Sequence, residues 1–313
     1  MKNNFFQKDY ITVDCLSPSD VNTIFKKSLE MKRLVEKKGG DTRLKGKVLG
    51  AIFYEPSSRT FSSFVTAMQR LGGGFIPIHG VQNTSVVKGE TLEDTVRVFS
   101  SYADALVIRH PEPGSIEIAA KYATVPVINA GDGIGEHPTQ ALIDIYTMQE
   151  ALGDVNKLHI LMIGDLAHYR PTNSMAKLLA IFPKVKLSFA SPREVPLPDN
   201  IRNFLKQKKI NFREYNDFEK LLPDADVLYV TRVKKEYMSE KLYKKIQGSY
   251  IINNKTLQKM KRKSIVMHCL PRVGEISTDI DTDPRSLYLT HEVRNGLYVR
   301  MALLDLILNK YER

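Results

Sequence analysis

Short, nearly continuous apolar runs recur along this chain, and after most of them the pattern switches to a helical period. The runs are Val48–Tyr54, Gly74–Ile78, Ala105–Ile108, Val125–Ile128, His159–Ile163, Lys186–Ala190, Val227–Val230 and Ser264–Met267. A short apolar run bounded by turn residues is the pattern of a strand covered on both faces. Helical spacing follows at about 17–39, 57–71, 91–102, 114–122, 138–152, 172–182 and 199–208, with a short helix at 218–222 and an apolar one at about 295–309. Ser17-Pro18-Ser19-Asp20 opens the first helix with a strong cap signal, and Gly72-Gly-Gly74 stops the second. Strands alternating with helices predict an α/β chain of two doubly wound domains, each a parallel sheet flanked by helices.

At 313 residues the chain exceeds one ordinary domain, and 42% hydrophobic residues suffice for two cores. The expected division is 1–139 and 140–292, with a C-terminal helical segment at about 293–313 returning to the first domain. No run reaches the ~20 apolar residues that a membrane span needs, and the N-terminus has no signal-peptide pattern. Two cysteines, Cys15 and Cys269, do not make a disulfide framework, so the expected location is the reducing cytoplasm. The net charge of +11 admits nucleic acid or anionic substrates. No nucleic-acid motif accompanies the lysines and no aromatics interleave with them, so small anions are the better reading and no nucleic-acid or membrane partner is expected. Lysine-rich stretches such as Lys241–Lys245 and Lys259–Lys263 read as solvated helix faces.

The stretch Phe53-Tyr-Glu-Pro-Ser-Ser-Arg-Thr60 takes the first strand into a helix, with Ser57 a good N-cap. A helix N-terminus just past a strand's carboxyl end offers unpaired N–H groups and the positive end of a dipole. Arginine is disfavoured there, so Arg59 points to an anion that it can hold with two parallel hydrogen bonds. Ligands of such sheets bind outside the carboxyl ends of strands. Arg59, Arg109, His137, Arg170, Arg232 and His268 all fall at or just beyond such ends. No Gly-x-Gly-x-x-Gly, Walker loop, paired Cys-x-x-Cys, His-Glu-x-x-His or Gly-x-Ser-x-Gly appears, so no metal and no cofactor is expected.

Glu55-Pro-Ser-Ser-Arg-Thr60, Ser85-Val-Val-Lys-Gly-Glu-Thr91, Arg109-His-Pro111, Asn129-Ala-Gly-Asp-Gly133, His137-Pro-Thr-Gln140, Thr231-Arg232 and Leu270-Pro-Arg272 occur in this order. Together they resemble the aspartate carbamoyltransferases over essentially the whole chain. The resemblance implies transfer of the carbamoyl group of carbamoyl phosphate to L-aspartate, a step of pyrimidine synthesis, with no covalent intermediate. It implies a carbamoyl-phosphate-binding first domain and an aspartate-binding second domain. Ser57, Ser58, Arg59 and Thr60 would hold the phosphate. Arg109, His137 and Thr60 would face the carbamoyl oxygen, His137 as a hydrogen-bond donor, and Gln140 the carbamoyl amide. Arg170 and Arg232 would hold the aspartate carboxylates, with Leu270 and Pro271 lining the site around a cis bond. Ser85 and Lys88, in a polar loop over 82–90, would enter a neighbouring subunit's site in a homotrimer and meet its carbamoyl phosphate, Lys88 and Lys234 also meeting the aspartate; a regulatory chain is left open.

The chain also departs from that family. Ser58 stands for threonine and Phe61 for a frequent arginine. Lys234 replaces a glutamine that can both donate and accept. Cys269 gives the His-Cys-Leu-Pro of the ornithine carbamoyltransferases. The alternatives are therefore an ornithine-type or other carbamoyltransferase, or a non-catalytic carbamoyl-phosphate-binding paralogue. The cationic Thr231-Arg-Val-Lys-Lys-Glu236 suits an acidic rather than a cationic substrate.

Overall fold

The computed structural model describes residues 3–82 and 84–311. Met1, Lys2, Asn83, Glu312 and Arg313 lie outside the described residues, and with them the outer ends of the expected first domain and returning segment and one residue of the 82–90 loop. The chain divides into two compact units, Met1–Leu142 with Arg294–Arg313, and Ile143–Val293.

In the first unit β1 (Val48–Phe53), β2 (Gly74–His79), β3 (Ala105–His110) and β4 (Val127–Asp132) form a parallel sheet ordered β2-β1-β3-β4. In the second, β5 (His159–Ile163), β6 (Lys186–Ala190), β7 (Asn211–Tyr215), β8 (Val227–Val230) and β9 (Ile265–Met267) are ordered β7-β6-β5-β8-β9, again all parallel. The helices are α1 (Pro18–Lys38), α2 (Ser58–Arg70), α3 (Leu92–Ser100), α4 (Ser115–Tyr122), α5 (Pro138–Leu152), α6 (Arg170–Leu179), α7 (Asp199–Gln207), α8 (Glu240–Ile246), α9 (Asn254–Lys259) and α10 (His291–Leu308). The cap of α1 is formed as its sequence predicts: Asp20 N–H donates to Ser17 Oγ at 3.2 Å, and Ser17 N–H donates to Asp20 Oδ2 at 3.0 Å.

The apolar runs are the cores. Leu49, Ala51, Ile52 and Phe53 of β1 are wholly buried, and Ile52 packs with Val96 of α3, Leu106 and Ile108 of β3, and Ile116 and Ala119 of α4. Burying each large aliphatic side chain is worth about 1.5–3 kcal/mol. The later part of α10 belongs to the first unit, where Arg43 Nη1 donates to the buried Asp305 at 2.9 Å and Arg300 Nη1 donates to Ser63 Oγ at 2.7 Å.

Strand order decides where a ligand can sit. From β1 the chain turns to one side, to β2, while β3 continues to the other side, to β4. From β5 it turns to β6 and β7, while β8 continues to β9. The gaps between β1 and β3, and between β5 and β8, are topological switch points, where α/β sheets leave a crevice at their carboxyl edge. Ser57–Thr60 follow β1 and Arg109 is the penultimate residue of β3; Arg170 and Arg232 follow β5 and β8.

Several expectations shift. β7 was not expected: Asn211-Phe-Arg-Glu-Tyr215 is an edge strand in which Asn211, Arg213 and Glu214 are exposed and Phe212 and Tyr215 half-buried, and edges carry charge instead of an apolar run. β4 starts two residues later than expected and runs through the polar Asn129-Ala-Gly-Asp132. Of the two lysine-rich stretches, Lys241–Lys245 lies in α8, but α9 ends at Lys259 and the following residues form a turn. The loop read as patternless contains a 3-10 turn over Ser85–Lys88, opened by Thr84, whose Oγ1 accepts Val86 N–H at 3.4 Å.

Candidate active site

Backbone pairing assembles the first unit's residues. Phe53, the last residue of β1, pairs with His79 on one side and Arg109 on the other. Past Phe53 the chain turns through Pro56 into α2, and Ser57 takes the N-cap position without a side-chain cap bond. The first turn of α2 contains no acidic residue. A helix start leaves its first N–H groups without partners inside the helix, at the positive end of the dipole, and here they lie beside the exposed Arg59. Thr60 is buried. The Arg109 guanidinium lies against Glu55, with Nη2 2.6 Å from Oε1.

His137 sits just before α5, buried, with Nδ1 3.5 Å from Thr139 Oγ1 and its carbonyl accepting Gln140 N–H at 3.0 Å. The preceding loop is tied down residue by residue. Asn129 Oδ1 accepts Gly131 N–H at 2.7 Å, Asp132 Oδ2 accepts Gly114 N–H at 3.0 Å, and Glu136 accepts from Thr12 Oγ1 and Val13 N–H, both at 3.1 Å. Gly133 has φ +50°, and a Cβ there would lie 2.6 Å from Pro113, so the turn that aims His137 requires glycine. Burial raises the pKa of Asp132 and lowers that of His110, whose Nδ1 accepts Glu112 N–H. Ser85 and Lys88 are exposed, and among the described residues neither side chain hydrogen-bonds the Ser57–Thr60 turn.

In the second unit a buried aspartate joins the two sides of the switch point. Asp165, after β5, accepts His168 N–H and contacts His168 Nδ1, both at 3.0 Å, and accepts Lys234 N–H at 3.1 Å from the segment after β8. Thr231 Oγ1 donates to Ile163 O at 2.9 Å. Gly164 has φ +110°, and a Cβ there would lie 2.5 Å from Thr231 O, so glycine is required for this approach. Arg170, buried, is the first residue of α6. Arg232 Nη2 donates to Glu236 Oε1 at 2.6 Å. Lys234 is buried, its Nζ 4.9 Å from the Tyr237 ring centroid and 6.0 Å from that of Tyr169, and Tyr237 stacks on His168.

Leu270 and Pro271 are joined by a cis bond. His268, wholly buried, holds them: Nδ1 accepts Leu270 N–H at 2.8 Å while Nε2 donates to Glu275 Oε1 at 2.8 Å. Burial opposes the charge on Glu275, but the hydrogen bonds from His268 and from Val273 N–H outweigh it and bring its pKa below the usual range. Glu292 Oε2 accepts His268 N–H, and burial, with Asp144 beside it, pushes its pKa well up. Burial likewise pushes the Cys269 thiol up to about 12, with Tyr169 OH 2.8 Å from its sulfur, so it is no nucleophile.

Ser57, Ser58, Arg59, Thr60, Arg109, His137 and Gln140 thus lie in the first unit, and Arg170, Arg232, Lys234, Leu270 and Pro271 in the second. Motif reading missed His79, Asp165, Glu275, Asp144 and Glu292; for His79 and Asp165 the signal was available, since both stand at carboxyl ends of strands. Each set is cationic: one suits a small anion at a helix start, the other carboxylates. Among the described residues no group of three or more His, Cys, Asp or Glu side chains is placed to hold a metal ion, and no helix is long and apolar enough to cross a membrane.

Family models match both halves: "Aspartate/ornithine carbamoyltransferase, carbamoyl-P binding domain" over residues 8–150 and "Aspartate/ornithine carbamoyltransferase, Asp/Orn binding domain" over 156–307. The multifunctional protein pyr1-3 of Dictyostelium discoideum is 46% identical over 306 residues; these are 97% of this chain but 14% of that protein's length. The aspartate carbamoyltransferase catalytic subunit of Thermoplasma volcanium is 43% identical over 96% of this chain and 98% of its own. Among solved structures, aspartate transcarbamoylase from Trypanosoma cruzi in complex with carbamoyl phosphate and aspartate superposes with a TM-score of 0.92. It is 34% identical, covering 98% of this chain and 97% of that one.

Proposed function

The chain belongs to the aspartate/ornithine carbamoyltransferase family, and from that premise we propose that it is an aspartate carbamoyltransferase. The reaction joins carbamoyl phosphate to L-aspartate, giving N-carbamoyl-L-aspartate and phosphate, in pyrimidine synthesis. The observation that carries this reading is the placing of cations at both switch points: Arg59 and Arg109 by the start of α2, and Arg170, Arg232 and Lys234 beyond β5 and β8.

In the first unit, the carbamoyl-phosphate side, Ser57, Ser58, Arg59 and Thr60 hold the phosphate. Ser85 and Lys88 add to it from a neighbouring subunit of a homotrimer. Arg109, His137 and Thr60 donate to the carbamoyl oxygen, which gains charge as the amine attacks, and Gln140 holds the amide. Donors fixed in advance are worth most here, because they need not reorganise as the charge develops. In the second unit Arg170 and Arg232 orient the aspartate carboxylates, Lys234 adds a third positive charge, and the Leu270 and Pro271 carbonyls line the site. The amine attacks the carbamoyl carbon directly, and the departing phosphate takes the amine proton. Holding both substrates in attacking geometry supplies the remainder of the rate. The site of action is the cytoplasm.

The aspartate reading is preferred over ornithine because the residues after β8 are cationic, and a cationic side chain would meet Arg232 and Lys234. The test is a carbamoylation assay with carbamoyl phosphate and, in parallel, aspartate, ornithine, putrescine or water. Product with aspartate alone is expected. Product with ornithine instead would overturn the substrate, and no product with any acceptor would overturn the activity.

A further inference from the structure

β2 ends in His79, and the pairing of His79 with Phe53 brings its imidazole to the edge from which α2 starts. The ring centroid lies 4.7 Å from that of Phe61 on α2 and 6.5 Å from that of Phe53. These two rings hold the imidazole from the side. Its Nε2 is left to accept the N–H of Ser57 at 3.4 Å. A ring nitrogen that accepts an N–H carries no proton, so the neutral ring has its own proton on Nδ1. The Ser57 amide is among the donors that a phosphate oxygen requires at this turn, and the 3.4 Å between the two nitrogens leaves no room for an oxygen. The imidazole is exposed, so it can turn about its side-chain bonds.

We propose that His79 is a further phosphate-binding residue: it holds the Ser57 amide in the unliganded chain, then turns so that its ring N–H meets a phosphate oxygen. The exchange gives up one long neutral hydrogen bond and gains one to a dianion, which is shorter and stronger. The empty anion site is thereby kept satisfied, and the same side chain joins the bound state. This rests on the carbamoyl-phosphate reading of the first unit.

Two substitutions separate the polar role from the packing. His79→Phe keeps an aromatic ring against Phe53 and Phe61 but has neither donor nor acceptor. His79→Gln restores both on one flexible side chain. The experiment titrates inorganic phosphate into the full wild-type chain and both variants by calorimetry, and measures kinetics with carbamoyl phosphate varied at saturating aspartate. For His79→Phe, the phosphate Kd and the KM for carbamoyl phosphate are expected to rise about tenfold while kcat changes by less than about threefold. His79→Gln is expected to recover most of the loss. Unchanged or tighter phosphate binding in His79→Phe overturns the proposal, as does a Gln variant no better than Phe. A wild-type chain that binds phosphate through His79 yet fails to carbamoylate aspartate would overturn the activity and keep this site.

Discussion

Arg109, the penultimate residue of β3, has its guanidinium 2.6 Å from the Glu55 carboxylate, so the charge is already oriented before any substrate arrives. Removing one such donor from a developing oxyanion costs about a hundred- to a thousandfold in kcat. Arg109→Ala is therefore expected to lose turnover on that scale while its circular dichroism stays that of the wild type; near-normal kcat would remove Arg109 from the site. Lys234 poses the opposite question. Its ammonium rests 4.9 Å from the Tyr237 ring centroid, a contact worth about 0.5–2 kcal/mol depending on desolvation. It can only donate, and its charge opposes the amino group of an incoming aspartate. Lys234→Gln is expected to lower the KM for aspartate, by roughly two- to tenfold from the loss of one like-charge contact, and an unchanged KM would show that the ammonium does not face the substrate. Arg59, Arg109 and His137 stand out in the sequence because their flanking turn residues are local signals. Asp165 does not, because its importance lies in joining two segments 69 residues apart, through Lys234 N–H.

At the scale of elements, the end of β9 and the start of α10 meet at one buried carboxyl. Glu292 Oε2 accepts His268 N–H, and burial beside Asp144 raises the Glu292 pKa well above that of a free glutamate. A carboxyl with a raised folded-state pKa binds more protons when folded than unfolded. Its contribution is therefore present below the unfolded value near 4.5 and is lost as pH rises through the folded one. Glu292→Gln keeps an acceptor for His268 and cannot ionise. The variant is expected to melt above the wild type at pH 8, with the difference shrinking toward pH 4.5; a pH-independent difference would show that ionisation is not its cause. The elements themselves were largely legible where both faces are buried, as in β1 and β8, since an apolar run then marks the strand. β7 escaped because an edge strand needs no such run, and the 3-10 turn at Ser85–Lys88 is too short to show a period.

For the whole molecule, charge and assembly are what remain. Residues 201–263 hold 17 basic and 7 acidic residues, so nearly all of the +11 net charge lies in this one segment, which includes Arg232 and Lys234. A positive potential there favours arrival of a dicarboxylate and falls with added salt. If Ser85 and Lys88 complete a neighbour's site, subunits carrying Arg59→Ala and Lys88→Ala, each inactive alone, are expected to regain activity on mixing. Random assembly of a cyclic trimer would give about a quarter of sites with both residues intact. Mixed trimers with no recovered activity would count against shared sites.

Alternation of apolar runs with helical periods, and turn chemistry at strand ends, are properties of neighbouring residues. The sequence by itself therefore determined the α/β class, the Ser17 cap of α1 and the cationic residues that stand at or beyond strand ends. Strand order is a non-local choice, and only the tertiary structure decided that β1–β3 and β5–β8 are the switch points. It also set His79 beside Ser57, joined Asp165 to the Lys234 segment, and buried Asp144 with Glu292 behind the Leu270–Pro271 turn. The physical reason is that pairing register and burial depend on residues far apart in the chain, which no local period records.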